Sequence, residues 1–231
     1  MKIVTVVGIR ASGKTALIEA LVRELSGRGK KVGTVKTVFC PTFHMDKPGS
    51  NTFRHTRAGA GLVTVRAEGE TTLLFPRRLK PSEVYENYRG FDWVLAEGDY
   101  ELPAARIVTA HREEDALERL TPLTVAFSGR LADSRRELEG LKVYHYERDI
   151  SALCDLLEEK TEDTADLRKL DESLNGEDLK QSRAFCAVGC RGHLEKKQGV
   201  RVTVDGVPFA LSPEQEETLR LWAGKPETEP T

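Results

Sequence analysis

Gly8-Ile9-Arg10-Ala11-Ser12-Gly13-Lys14-Thr15 stands between a β-branched run at residues 3–7 and a segment in which Leu17, Leu21 and Leu25 recur every four positions, with Ile18 and Val22 on the adjoining row. The run before it reads as a strand buried on both faces, and the segment after it as an amphipathic helix. The eight residues match the pattern G-x-x-x-x-G-K-[ST] in full. Each fixed position has a physical task in cradling phosphate. Gly8 and Gly13 let the backbone turn sharply, so that the N–H groups of Ile9, Arg10, Ala11 and Ser12 can close on an anion. Lys14 is a mobile charge for the outer phosphates, and the Thr15 hydroxyl can take one place around Mg²⁺. The opening turn of the helix adds its positive end. From average residue usage about one chain of this length in a hundred would carry the pattern by accident, but seldom between such a strand and such a helix.

Outward from this loop, short apolar runs alternate with helical patterns. Strands are expected at residues 32–38, 62–66, 71–75, 93–96, 106–109, 123–127 and 142–146, and helices at 52–60, 82–88, 113–120 and 150–158. Alternation of this kind predicts an α/β fold, a mostly parallel doubly wound sheet with helices on both faces. The runs at 62–66 and 71–75, joined by Ala67-Glu68-Gly69-Glu70, read as a hairpin at one edge of the sheet. Composition changes near residue 158. The organisation expected is a nucleotide-binding domain over 1–158, a charged linker or helix over 159–180, and a small α+β appendage over 181–231.

The 231 residues are 39% apolar and 31% charged with a net charge of −2, so no overall field draws the chain to nucleic acid or to an anionic membrane. No apolar run approaches a membrane span, and the run before Gly8 is too short for a signal-peptide core. Four cysteines, Cys40, Cys154, Cys186 and Cys190, are too few and too scattered for a disulfide framework. The composition reads as cytoplasmic.

A phosphate-cradling loop needs an acidic partner on a neighbouring strand to hold Mg²⁺ directly or through water. Glu97 follows the apolar run of residues 93–96, at the carboxyl end of its strand, where ligands gather in such sheets. Asp99 is the reserve, and Asp92 at the opposite end reads as surface. After the second strand, residues 36–50 are rich in polar groups suited to an anion, including Asp46, Lys47, Gly49 and Ser50, and the helix that follows carries Arg54, His55 and Arg57. A plain solvated loop is the alternative there.

Several segments in fixed order resemble one family. The loop at Gly8–Thr15, the Lys36 region, Asp46-Lys47-Pro48-Gly49-Ser50 leading to Arg54-His55-Thr56-Arg57-Ala58-Gly59-Ala60, and Leu95-Ala96-Glu97-Gly98 together resemble the molybdopterin-guanine dinucleotide biosynthesis adaptor family, MobB. The resemblance covers roughly residues 1–130. It implies GTP binding with Mg²⁺ at Thr15 and Glu97, and at most weak GTPase activity with Lys14 and Glu97 as its catalytic groups. It also implies a homodimer, a partnership with the guanylyltransferase that attaches GMP to molybdopterin, and contact with molybdopterin or a molybdoenzyme. Asp46 to Ser50 would face the nucleotide or cofactor. The chain departs from the family at Thr37, where histidine is frequent, and at Asp99-Tyr100, where an aromatic–lysine pair is usual. Guanine itself is not legible, for no Asn-Lys-x-Asp motif is present; a base loop could lie at residues 124–129.

Near the C-terminus, Cys186, Cys190 and His193 place three candidate Zn²⁺ ligands within eight residues. Zinc would need a fourth ligand from elsewhere, and two buried cysteines with a surface histidine are the plainer reading. Two other functions stay open. Cys40-Pro41 with His44 resembles, at the wrong spacing, the Cys-Pro-His metal motif of a metallochaperone NTPase of the urease or hydrogenase accessory type. Arg77-Arg78 or Arg135-Arg136 could be lid arginines of a small-molecule kinase.

Overall fold

Seven residues, Lys2–Gly8, form strand β1, and Val4, Val6 and Val7 lose all contact with solvent there. The computed structural model describes residues 1–39 and 43–171, and the backbone of two further strands at Val200–Val204 and Val207–Leu211. Strand β1 leads into helix α1 (Lys14–Gly27), then β2 (Val32–Lys36), helix α2 (Asn51–Arg57), β3 (Val63–Arg66), β4 (Thr71–Leu74), α3 (Pro81–Glu86), β5 (Trp93–Glu97), β6 (Ala105–Thr109), α4 (Glu113–Leu117), β7 (Thr124–Ser128) and, further on, α5 (Ile150–Lys160). Strands β2, β5, β1, β6 and β7 lie side by side in that order and pair in parallel throughout. The α/β fold with a parallel central sheet is therefore the one expected.

Alternate residues of β1 feed opposite faces of the sheet, as the twofold period of a strand requires. Val4 and Val6 meet Leu17, Leu21 and Leu25 of α1 and Leu153, Cys154 and Leu157 of α5. On the other face Val7 packs with Val108, Phe127 and Leu131, and Ile3 with Tyr85, Val94 and Leu102. Leu167 and Leu170, from a 3-10 turn at Leu167–Asp171, join Ile3 and Tyr85 in that second layer. Because β1 has neighbours reached by crossovers in opposite directions, its carboxyl end opens on the crevice where such sheets take ligands.

Several elements differ from expectation. The hairpin of β3 and β4 forms a two-stranded sheet of its own instead of extending the edge of the central one; only Val63 in it is buried, so its apolar pattern does not seat on the core. Residues 142–146 are not a strand. Leu141–Lys142 pairs with Glu137–Leu138 in a two-residue ribbon, Val143 makes a single bridge to Phe127, and Asp149 then captures the His145 N–H at 2.9 Å to turn the chain into α5. The apolar Val143 and Tyr144 are buried without being in a ladder. Helix α2 starts one residue early because Ser50 caps it, accepting the Phe53 N–H, and it ends at Arg57 where Gly59 turns left-handed at φ 105°. Helix α4 stops at Leu117, its continuation tightening into three-residue turns ahead of Pro122. In the C-terminal part, Val200–Val204 pairs antiparallel with Val207–Leu211, and the sequence between them, Asp205-Gly206, is one that favours a tight hairpin turn. Cys186, Cys190, His193 and Cys40 lie outside the described residues, as does most of the appendage expected over 181–231.

Candidate functional site

The glycine-rich loop is held from below by β6. A Cβ on Gly8 would come within 2.1 Å of the Thr109 carbonyl oxygen, so no other residue fits there without moving the strand. The Ser12 hydroxyl, fully enclosed, bonds to the Thr109 hydroxyl at 2.6 Å and donates to the Ile9 carbonyl at 2.8 Å. Ala11 and Gly13 both take positive φ, 58° and 97°, and Gly13 is the N-cap of α1. The cap makes no side-chain hydrogen bond, and the first turn of α1 holds no acidic residue. A fourteen-residue helix thus presents its first N–H groups and positive end at the mouth of the loop. Arg10, Ala11 and Thr15 stand at the exposed rim.

Lys14 folds back over the loop, its ammonium donating to the carbonyls of Gly8 at 3.1 Å and Ile9 at 2.6 Å. Burial pushes this ammonium below the usual lysine range; Glu97 opposes that shift, while Lys36 and Arg119 reinforce it. Glu97 ends β5, where register sets it beside Val6 of β1 and Lys36 of β2. Its carboxylate accepts the Thr15 hydroxyl at 3.3 Å and the Lys36 ammonium at 3.0 Å. The structure therefore brings together the loop, Lys14, Thr15 and Glu97 at one rim. The Thr15 hydroxyl and the Glu97 carboxylate are hard oxygen donors of the kind magnesium prefers, so these residues fit the ion.

Asp46, Lys47, Gly49 and Ser50 are organised differently. The Asp46 carboxylate accepts the hydroxyls of Ser50 at 2.7 Å and Thr52 at 2.9 Å and the Lys47 N–H at 2.9 Å. The Ser50 bond leads in holding this carboxyl below the ordinary aspartate range. These bonds run within the loop and shape the start of α2; they do not join it to residues 8–15. Asp99, the reserve acid, is buried and takes the Thr37 hydroxyl at 2.9 Å. The arginines considered for a kinase lid are engaged on the surface: Arg77 with Glu83, Arg78 with Glu101, Arg135 with Glu113 and Arg136 with Asp149.

Residues that sequence reasoning missed lie under and beside the loop. Tyr100 accepts the Gly8 N–H through its hydroxyl. Gly129, at the end of the segment considered for a base loop, approaches so closely that a Cβ there would stand 2.5 Å from the Ser12 carbonyl oxygen. Neither contact is encoded by local spacing; both depend on strand register. Among the described residues no group of three or more His, Cys, Asp or Glu side chains meets as a metal site, and no helix is long and apolar enough to cross a membrane.

Comparison with known proteins gives a consistent picture. The family model described as molybdopterin guanine dinucleotide synthesis protein B, MobB, matches residues 3–127. A Bacillus subtilis protein described as a probable molybdopterin-guanine dinucleotide biosynthesis adapter is 31% identical over 151 residues, 62% of this chain and 84% of that protein. A Methanocaldococcus jannaschii protein likewise described as such an adapter is 31% identical over 100 residues, 42% of this chain and 41% of its own length. The crystal structure of Bacillus subtilis MobB superposes with a TM-score of 0.55 at 27% identity, covering 71% of this chain and all of that one.

Proposed function

We propose that this chain, which belongs to the MobB family, is an adapter of molybdopterin guanine dinucleotide biosynthesis that binds GTP with Mg²⁺ and assists the guanylyltransferase attaching GMP to molybdopterin. The observation that carries the nucleotide part is the uncapped N-terminus of α1 behind a glycine-rich loop, with Lys14, Thr15 and Glu97 at its mouth. Three contributions add there: N–H groups without helical partners, the positive end of the helix, and a lysine ammonium. Thr15 and Glu97 would hold the magnesium, which neutralises phosphate charge. Any hydrolysis is weak in this reading, and the work is delivery and docking. Lys47, Ser50 and the basic side chains of α2 offer the surface facing molybdopterin or the enzyme that receives the cofactor. Guanine as the base rests on family membership, and cytoplasmic action is part of the same reading.

The proposal includes a homodimer. The hairpin of β3 and β4 stands apart from the central sheet with Leu62, Val65, Leu73 and Phe75 exposed, an apolar surface that a second copy would cover. Sedimentation should give a dimer that Leu73→Asp weakens; a wild-type monomer at all concentrations contradicts it. The adapter role is tested by measuring GMP transfer to molybdopterin by the guanylyltransferase with and without this chain. Stimulation that Lys14→Ala abolishes supports the reading; no effect on transfer together with no binding to the transferase contradicts it.

A further inference from the structure

We infer that Lys36 is a second phosphate-binding lysine, which leaves Glu97 for the terminal phosphate when Mg²⁺ takes up that carboxylate, and so distinguishes a nucleoside triphosphate from a diphosphate. The inference rests on the nucleotide reading above. Lys36 ends β2 directly opposite Glu97 at the end of β5. Its Nζ lies 3.0 Å from Glu97 Oε1, the oxygen that also accepts Thr15 Oγ1 at 3.3 Å. Lys14 sits close enough that its ammonium interacts with both Glu97 and Lys36. Lys14 spends its own hydrogen bonds on the Gly8 and Ile9 carbonyls, so Lys36 is the ammonium that rests on the donor the divalent ion would need.

With Thr15 and Glu97 holding magnesium, the carboxylate would no longer hold Lys36, and the outer phosphate would lie within reach of its ammonium. Lys36 can follow, because its side chain is 63% exposed and carries a flexible four-carbon stem. The phosphate it would meet is the terminal one, since the N–H groups of the loop would cradle the inner phosphates. The approach also comes from β2, separated from β1 and its loop by the whole of β5. An ammonium supplies charge and donors but accepts no proton, so a lysine in this place tightens binding without activating water. Binding without turnover is what an adapter requires.

Calorimetric titration with GTP and with GDP, each with Mg²⁺, tests this on the wild type, Lys36→Met and Lys36→Arg. The expected result is that Lys36→Met weakens GTP roughly ten- to hundredfold, the range for a lost charged hydrogen bond, leaves GDP affinity nearly unchanged, and is largely rescued by Lys36→Arg. An unaltered GTP-to-GDP affinity ratio in Lys36→Met overturns the role of Lys36 and leaves the nucleotide reading standing. A wild-type protein that binds neither nucleotide overturns both. Lys36 lies at the exposed rim, so the substitution leaves the core intact, and an unchanged melting temperature verifies it.

Discussion

The Tyr100 hydroxyl accepts the Gly8 N–H at 3.0 Å and lies 3.4 Å from the Gly8 carbonyl, to which it donates. Its neighbour Asp99 bonds in another direction, accepting the Thr37 hydroxyl. Two consecutive residues after β5 thus tie the first glycine of the loop and the end of β2 to the strand that carries Glu97. Thr37, Asp99 and Tyr100 are the positions that the resemblance marked as departures, and Thr37 and Asp99 meet in one hydrogen bond. Burial raises the Tyr100 hydroxyl above the ordinary tyrosine range, with the Gly8 N–H and the nearby Arg119 and Arg106 pulling the other way, so it stays protonated at neutral pH.

Tyr100→Phe should therefore strand a part-buried N–H and cost about 1–3 kcal/mol of stability. Urea unfolding of the two proteins checks it. A loss under about 0.3 kcal/mol would mean that water replaces the hydroxyl without cost and that Tyr100 is no brace.

Gly129→Ala should be more damaging. The added methyl would meet the Ser12 carbonyl oxygen at 2.5 Å and the Ala110 carbonyl oxygen at 2.7 Å, at a φ of 88°. Backbone on both sides cannot yield as a flexible side chain would. A destabilisation of about 2–3 kcal/mol is expected, with weakened nucleotide binding because the loop is displaced. Gly49→Ala is the control: its φ is also 88° but nothing lies within 4 Å of the added atom, so only the cost of the left-handed backbone, about 1 kcal/mol, applies. Equal losses in both variants would contradict the steric account.

Glu83 carries a pH-dependent contribution. Paired with Arg77 and accepting the Lys80 N–H at 2.8 Å, its carboxyl is held down from 4.5 to about 2. A depressed carboxyl stabilises the fold above its unfolded pKa and loses that contribution as pH falls through the folded one. The melting-temperature gap between wild type and Glu83→Gln should be steady at neutral pH and close between pH 4.5 and about 2. A gap that persists through that window would show that Glu83 acts through packing and not through charge.

The sequence was legible where chemistry is local. The loop is a contiguous pattern, and Glu97 follows from the rule that acids of such sites sit at strand ends. Asp46 and Ser50 were read as polar groups suited to an anion, and neither the cap that Ser50 provides for α2 nor the closed hydrogen-bonded knot they form was visible. What escaped reading depends on register. Thr109 lies under Gly8 only because β6 pairs with β1 in one alignment, and Lys36 faces Glu97 only because β2 lies next to β5. Gly129 reaches Ser12 from a strand two places away. The strand expected at 142–146 failed for a related reason: Val143 and Tyr144 are apolar because they are buried, and the Ser128 hydroxyl, taking up the Tyr144 carbonyl at 2.7 Å, satisfies the backbone in place of a ladder.

Calorimetric titration of the purified protein with GTP in the presence of Mg²⁺, beside a folded Lys14→Ala variant, decides whether the loop at Gly8–Thr15 holds the phosphates. The wild type should show a single saturable site, favouring GTP over ATP, that is lost in Lys14→Ala while the melting temperature stays near that of the wild type. Undiminished GTP binding by the folded variant would contradict the assignment of phosphate to the loop at Gly8–Thr15.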